Sequence, residues 1–199
     1  MKIISFLNSK GGAGKTTAVI NVARGLQLRG ASVGVIDTDL HQQSVAQWRQ
    51  DADDSFFPVD VVDAKRVPEL VKNFDVDYLL IDGAGYLDEE IVGVAKLSNL
   101  IVIPVKPSPF DYWPAARLFE SLTPLNVVTA YLLTQARKHT MMTNEMVQTL
   151  VDDGSSFDSI IYNRTAYQFS IMKGETVYEH DKTASVEVDA VIDEILKVI

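Results

Sequence analysis

Residues 9–17 read SKGGAGKTT and lie between a strand-like run that begins at Lys2 and a helix-like segment that begins at Lys15. Three glycines within four positions allow backbone dihedrals that are closed to other residues, so successive N–H groups can turn toward one point. The N-terminus of the following helix adds unpaired amides and the positive end of the helix dipole. The segment therefore predicts a cradle for phosphate groups.

The side chains of this loop indicate which phosphates it would hold. We expect Lys15 to neutralise the β- and γ-phosphates of ATP, the Thr16 hydroxyl to ligate Mg²⁺, and Thr17 to bond an α-phosphate oxygen. The backbone around the phosphates would come from Gly11, Gly12, Ala13 and Gly14. A dinucleotide site is disfavoured because no glycine closes a G-x-G-x-x-G pattern. A glycine-rich turn with two incidental lysines is the other alternative.

Aspartates follow two of the apolar runs. Asp37 and Asp39 end one run, and Asp82 ends another in a Walker B pattern, followed by Gly83 and Gly85. Carboxylates beside phosphates repel them unless a cation lies between, so Asp37 and Asp39 predict Mg²⁺ or a water to be oriented. Asp82 would coordinate Mg²⁺ through water. The two glycines would let the next segment respond to a γ-phosphate. A solvated pair of strand-end carboxylates is the alternative for Asp37 and Asp39.

Short apolar runs alternate with helix-length amphipathic segments along the whole chain. The predicted strands are residues 2–8, 32–37, 58–62, 77–82, 100–105, 126–134 and 158–162. The predicted helices are residues 15–29, 42–54, 67–74, 88–97, 111–121, 143–152 and 185–199. This alternation predicts an α/β fold, a P-loop domain over residues 1–199 with a mostly parallel twisted sheet and helices on both faces.

Composition excludes several classes of function. The 199 residues contain no cysteine, which excludes thiolate zinc sites, iron–sulfur clusters and cysteine nucleophiles. No apolar stretch approaches the ~20 residues that span a bilayer, and no signal peptide pattern is present, so we expect a cytoplasmic protein. The net charge of −9 argues against a surface built wholly to clamp nucleic acid, although a local basic patch stays open.

Lys10 distinguishes this loop from a standard Walker A motif. A standard Walker A motif would have glycine at Ser9, and here a lysine follows that position instead. The pattern from Lys10 to Thr17 resembles the deviant Walker A motif of the ParA/MinD superfamily of P-loop ATPases. The resemblance implies that Lys10 reaches across a homodimer interface to the partner's nucleotide. It also implies that Asp37 holds Mg²⁺-bound water and that Asp39 positions the attacking water in switch I.

The likeness to this family is uneven along the chain. The family usually continues from Asp39 as Pro-Gln, whereas Leu40, His41 and Gln42 stand here, so switch I is expected to differ in shape. His41 either contacts the site or, as the sequence favours, lies on the surface. The resemblance places Pro107 and Thr134 near the nucleotide base.

Two later segments add to the resemblance. Asp111 has two interpretations, a residue by the nucleotide and dimer interface or a simple helix N-cap. Further along, the order of four residues resembles the short plasmid-partition ParA proteins of the ParF type; they are Arg164, Tyr167, Gly174 and Glu179.

The implied function is a Mg-ATP-dependent, dimerising ATPase that drives plasmid or chromosome partition. Its partners would be a second copy, a higher polymer, and a DNA-binding protein of the ParB or ParG type that stimulates hydrolysis. Nonspecific DNA, and hence the nucleoid, is a further partner if residues 137–139, RKH, form a contact rather than a solvated loop. The alternatives are an ATPase that positions chemotaxis clusters or microcompartments, a metabolic P-loop enzyme, and a non-catalytic binding module.

The last predicted helix argues against a membrane partner. Its apolar stripe is flanked mainly by acidic residues, with Lys197 as its one basic residue. A helix lying on a membrane surface needs a basic polar face. We therefore expect this helix to pack on the body of the protein.

Overall fold

The computed structural model describes residues 1–83 and 89–199, in which strands and helices alternate. The strands are β1 (Lys2–Phe6), β2 (Val33–Asp37), β3 (Val59–Val61), β4 (Tyr78–Asp82), β5 (Leu100–Val105), β6 (Val128–Ala136) and β7 (Ile161–Tyr162). The longer helices are α1 (Lys15–Leu28), α2 (Ser44–Asp51), α4 (Glu89–Leu97), α5 (Pro109–Leu122), α6 (Met141–Asp153), α7 (Thr165–Met172) and α9 (Lys182–Val198). Two four-residue helices are α3 (Val67–Leu70) and α8 (Val177–His180).

The strands form a seven-stranded sheet in the order β3-β2-β4-β1-β5-β6-β7. Every strand pairing is parallel. The first strand lies at the centre of the sheet. Strands β2, β3 and β4 lie on one side of it, and strands β5, β6 and β7 lie on the other. The predicted parallel sheet with helices on both faces is confirmed, and the carboxyl ends of its strands share one edge.

Alternating strand residues separate the interior into two apolar clusters, one on each face. On β1, Ile4 and Phe6 face the cluster that includes α1, α2, α7, α8 and α9. Ile3 faces the opposite cluster, where α3, α4, α5 and α6 pack. The apolar runs of the central strands are buried on both faces, and this explains why they read as continuous rather than alternating in the sequence.

Some elements are shorter than the sequence predicts. The strand predicted over residues 158–162 is ordered as β only at Ile161–Tyr162, because the N–H groups of Asp158 and Ser159 donate to the Glu194 carboxylate, both at 2.8 Å. The helix predicted over residues 67–74 ends in a 3₁₀ turn, with Phe74 N donating to Val71 O. The predicted start of a helix at residue 88, and Gly85, lie outside the described residues.

Helix α9 packs on the body of the protein as expected. Its apolar stripe is fully buried and contacts the α1 side of the sheet; its members are Val188, Val191, Ile192 and Ile195. Arg29, directly after α1, donates to the carboxylates of Asp189 and Asp193 at 3.1 and 2.6 Å. In the part of the chain that the structure describes, no helix is both long and apolar enough to cross a membrane.

Candidate functional site

The loop between β1 and α1 turns sharply and is held by its neighbours. Gly12 and Gly14 adopt φ values of 72° and 88°, in the left-handed region that favours glycine. Asn8, fully buried, donates from Nδ2 to the Pro104 carbonyl at 2.6 Å and accepts from Lys10 N at 2.8 Å. The start of the loop is therefore tied to the end of β5, and α1 begins directly after Gly14.

The two lysines of this loop have different surroundings. Lys15 lies in the cavity that the loop encloses, and its Nζ donates to the Lys10 carbonyl at 3.4 Å. Burial lowers the pKa of Lys15, while the nearby carboxylates of Asp82 and Asp39 oppose that change. Lys10 is exposed and does not line this cavity. One lysine is thus committed to the interior of the site, and the other is directed to solvent.

Asp82 lies beside Thr16 at the end of β4. The Thr16 hydroxyl donates to Asp82 Oδ2 at 2.6 Å, and Oδ1 is buried with no hydrogen-bond partner among the described residues. Burial raises the pKa of Asp82 to about 7; the neighbouring charges of Asp37 and Asp39 raise it too, while Thr16 and Lys15 lower it. The site thus holds a carboxylate whose charge lacks full compensation from the described groups.

Asp37 and Asp39 organise the segment that follows β2. Asp37 accepts from Asp39 N and from Val45 N, both at 3.0 Å, so its carboxylate binds the first turn of α2. Burial raises the pKa of Asp37, although these N–H donors oppose the rise. Asp39 accepts from Gln42 N at 2.9 Å and from His41 N at 3.1 Å, which closes a tight turn. Helix α2 therefore begins at Ser44, two residues later than the predicted residue 42.

These groups surround a cavity of about 390 Å³, within the usual size range for small-molecule sites. Its lining contains most of the residues that the sequence predicted for phosphate and metal, namely Gly11, Gly12, Ala13, Gly14, Lys15, Thr16, Thr17, Asp37, Asp39 and Asp82. It also contains Gly83, which the sequence placed directly after the Walker B aspartate. Four lining residues were not predicted for the site, namely Ser9, Gln42, Ser44 and Gln135. Ser9 is in the phosphate-loop segment and Gln42 and Ser44 follow Asp39 in the chain, whereas Gln135 comes from the end of β6.

A second, smaller cavity of about 110 Å³ adjoins the first. The two share Gly14, Thr17 and Gln135, and the second extends to Asn163 and Tyr167. Predicted residues Thr134 and Arg164 also line it. Arg164 is paired there with the Glu187 carboxylate at 2.5 Å, so its charge is already compensated.

Other predicted positions lie apart from both cavities. Pro107 lines neither of them, and its role near the base stays a prediction. The interpretation of Asp111 as a helix N-cap is wrong, because Ser108 occupies that position and Pro109 begins α5. Asp111 is buried in the first turn, 3.4 Å from Lys106 Nζ.

Two groups of surface residues also have defined positions. His41 is exposed and does not line the larger cavity. Residues 137–139 are exposed as well, and Lys138 Nζ lies 4.6 Å from the centre of the Tyr162 ring. These three residues have the geometry of a solvated loop, and DNA contact by them stays a prediction.

The larger cavity offers oxygen donors of the kind that Mg²⁺ prefers. The Thr16 hydroxyl and the unpartnered Asp82 Oδ1 lie side by side, with Asp37 on the adjacent strand. Within residues 1–83 and 89–199, no set of three or more carboxylate or imidazole groups is arranged to hold a metal directly. Few protein ligands and several retained waters are the usual condition for Mg²⁺ beside phosphates, so these residues fit that ion.

Known proteins share these features. The family model of an AAA domain matches residues 1–73, which include the phosphate loop and both switch I aspartates. A protein that maintains carboxysome distribution in Halothiobacillus neapolitanus is 26% identical over 97% of this chain and 95% of its own length. These matches support the resemblance of the chain to the ParA/MinD superfamily of P-loop ATPases.

Several solved structures share the fold of this chain. A protein described as a Borrelia burgdorferi plasmid partition protein, bound to AMPPNP, superposes with a TM-score of 0.81 at 17% identity, covering 100% of this chain and 99% of that one. The septum site-determining protein MinD of Pyrococcus horikoshii, in complex with Mg-ADP, also gives 0.81 at 17% identity, covering 98% and 95%. At this identity the likeness shows the fold alone.

Proposed function

We propose that this P-loop ATPase is a Mg-ATP-gated dimer of the ParA type that distributes a large cargo within the cell. The observation that carries the proposal is the contrast between the two lysines of the phosphate loop. Lys15 faces the cavity, whereas Lys10 is exposed at its margin. A lysine that serves a site in its own subunit needs no exposure, so Lys10 is suited to a site in another subunit.

The polyphosphate of ATP would lie in the larger cavity and its base in the smaller one. Lys15 supplies the cation for the β- and γ-phosphates, and Thr17, which lines both cavities, lies where the α-phosphate would pass from one to the other. The combination of a polar cavity and a narrower one with Tyr167 in its wall supports a nucleotide rather than inorganic phosphate.

Thr16, Asp37 and Asp82 would hold Mg²⁺, with water between the ion and the two carboxylates. When bound, the ion supplies positive charge that stabilises the phosphate oxygens during transfer. Asp82 is prepared for this role by its buried and unpartnered Oδ1. Asp39 would position the attacking water, because it is the partly exposed carboxylate of the cavity and its charge faces Lys15.

The test separates binding within one subunit from binding across two. We expect Lys10→Ala to bind Mg-ADP with an affinity within about threefold of the wild type, yet to lose the dimer that AMPPNP induces, as measured by multi-angle light scattering. The matched control is Lys72→Ala, which removes an exposed lysine remote from the cavity. An AMPPNP-dependent dimer of the Lys10→Ala protein would overturn the trans role, and loss of ADP binding would assign Lys10 to its own site.

The cargo has two candidates. The resemblance to ParF-type proteins supports plasmid DNA with a ParB- or ParG-like partner, while the full-length similarity to a carboxysome distribution protein supports a protein body. Deletion of the gene distinguishes them: we expect loss of plasmids from dividing cells in the first case, and clustering of a labelled protein body in the second. For either cargo, AMPPNP-dependent and salt-sensitive binding to nonspecific DNA would identify the nucleoid as the surface on which the ATPase dimer binds.

A further inference from the structure

Two consecutive side chains at the carboxyl end of β6 each bind a carbonyl of the phosphate loop. Thr134 Oγ1 donates to Ala13 O at 2.8 Å, and Gln135 Nε2 donates to Gly12 O at 2.8 Å. Thr134 is buried, whereas Gln135 is exposed and lines both cavities.

Each of these bonds also determines where an N–H group points. A trans peptide is planar, with its carbonyl and N–H directed to opposite sides. Holding Gly12 O toward β6 therefore directs Ala13 N–H away from β6, and holding Ala13 O does the same for Gly14 N–H. Ala13 N–H closes the turn at Gly11–Gly12, and within residues 1–83 and 89–199 no hydrogen-bond acceptor lies in standard geometry at Gly14 N–H. Unpaired backbone donors are rare in protein interiors, and Gly14 lines the cavity that would hold the phosphates.

The backbone of Gln135 indicates that its position is specifically maintained. Its φ of 52° lies in the left-handed region, which is unfavourable for a residue with a side chain. This conformation bends the chain at the end of the strand and brings the amide to Gly12. The hydrogen bond from Gln135 to Gly12 O offsets this unfavourable backbone conformation.

We propose that Thr134 and Gln135 form a clamp that preorganises the anion hole of the phosphate loop, with Gln135 as a positioning residue. The proposal rests on the function argued above, since it concerns the same phosphates. The clamp makes the loop ready before nucleotide arrives, so the ordering of the loop does not reduce the affinity. It also joins the phosphate loop to the strand that borders the base cavity.

Gln135→Met tests the amide alone, because methionine has nearly the same length, carries no charge and cannot donate. We expect the affinity for Mg-ADP, measured by calorimetry, to fall about tenfold, which corresponds to about 1.4 kcal/mol. Without nucleotide, hydrogen exchange of the amides in residues 9–17 should accelerate while the melting temperature stays within about one degree, since Gln135 is exposed. Adding Thr134→Val should weaken ADP binding further.

The matched control is Gln148→Met, which removes another exposed amide whose single bond is to Asp152 on α6. Unchanged ADP affinity and unchanged exchange in Gln135→Met would overturn the clamp. If the wild type itself failed to bind Mg-ADP, the proposed function would fail instead. Equal loss in Gln135→Met and Gln148→Met would also overturn the clamp, because it would show a general effect of the substitution.

Discussion

The phosphate loop and the switch I segment, residues 38–48, line the same cavity and are held in different ways. The phosphate loop is fixed from outside, by Asn8 against β5 and by Thr134 and Gln135 from β6. The turn of the switch I segment is held by two aspartates at its start: Asp39 accepts from the two residues that close the turn, and Asp37, just before the segment, accepts from the start of α2. The segment also has outside contacts, from Thr38 to Asp82 O and from Trp48 to Glu175 O. The phosphate loop is therefore ordered before phosphate binds. The turn of switch I depends instead on Asp37 and Asp39, the same carboxylates that Mg²⁺-bound water and the attacking water would engage.

This difference assigns different tasks to the two regions. A cradle that is ordered in advance binds phosphates without rearranging. A segment whose turn and helix are held by Asp37 and Asp39 changes when a cation or its bound water competes for those carboxylates. We infer that the phosphate loop provides affinity and that switch I reports the state of the nucleotide.

Helix α2 transmits any such change to the C-terminal part of the chain. Trp48 donates from Nε1 to the Glu175 carbonyl at 3.0 Å, and the turn at Gly174 lies against the end of α2. From the same turn, Val177 N donates to Asn21 Oδ1 on α1 at 3.0 Å. Switch I, the C-terminal turn and the helix of the phosphate loop are thereby in contact.

The largest effect should come from removing the cation of the preformed cradle. Lys15→Ala should reduce the affinity for Mg-ATP about 1,000-fold, because two charge-assisted bonds to phosphate contribute roughly 4 kcal/mol together. Its urea midpoint should remain near that of the wild type, since the loop is held by β5 and β6 rather than by Lys15. Calorimetry and urea denaturation measure the two quantities. Unchanged ATP affinity would contradict the assignment of the phosphate loop.

A smaller effect is expected where switch I meets the C-terminal turn. Gly174 has a φ of 67°, and a Cβ there would lie 2.3 Å from Asp51 O at the end of α2. Gly174→Ala should lower the free energy of unfolding by roughly 3 kcal/mol, from the left-handed backbone and from displacement of α2. Hydrogen exchange should accelerate in residues 44–51 and not in residues 9–17.

Gly93→Ala is the matched control for that substitution. Gly93 lies within α4, its added Cβ would meet no atom within 4 Å, and alanine favours helix by about 1 kcal/mol over glycine. We expect this variant to be as stable as the wild type or more stable. If both glycine variants lost stability equally, the contact between α2 and the C-terminal turn would not be the cause.

The same comparison explains what the sequence could predict. The phosphate loop is a local pattern, so its residues, the strand before it and the helix after it were predicted from composition and spacing. The aspartates at the ends of β2 and β4 followed from the rule that ligands bind at the carboxyl edge of a parallel sheet. That rule applies equally to Gln135, but β6 is predicted to end at residue 134, two positions before its end at Ala136.

The remaining features depend on contacts between distant residues. The resemblance to ParF-type proteins named four C-terminal positions without saying what they do. The structure gives each of them a contact: Arg164 pairs with Glu187, Tyr167 donates to Ala184 O, Gly174 permits the approach of α2, and Glu179 completes a capping box with Thr176. These contacts join segments far apart in the chain, and no periodicity within one segment encodes them.

The smallest predicted effect, on catalysis alone, tests whether switch I acts through charge or through shape. Asp39→Asn keeps an oxygen that can accept from His41 N and Gln42 N, so the turn stays, whereas Asp39→Ala loses both the turn and the charge. If the carboxylate positions the attacking water, both variants should hydrolyse ATP about 100-fold more slowly, within the usual range for such groups, with ATP affinity changed less than threefold. Steady-state turnover and calorimetry provide the two readings.

Near-normal turnover in Asp39→Asn together with a loss in Asp39→Ala would show that the turn matters and that another group positions the water. Equal losses of turnover in the two variants would show that the carboxylate itself positions the water. The shape of the turn, with Leu40 and His41 in place of the usual Pro-Gln, would then not determine the rate of hydrolysis.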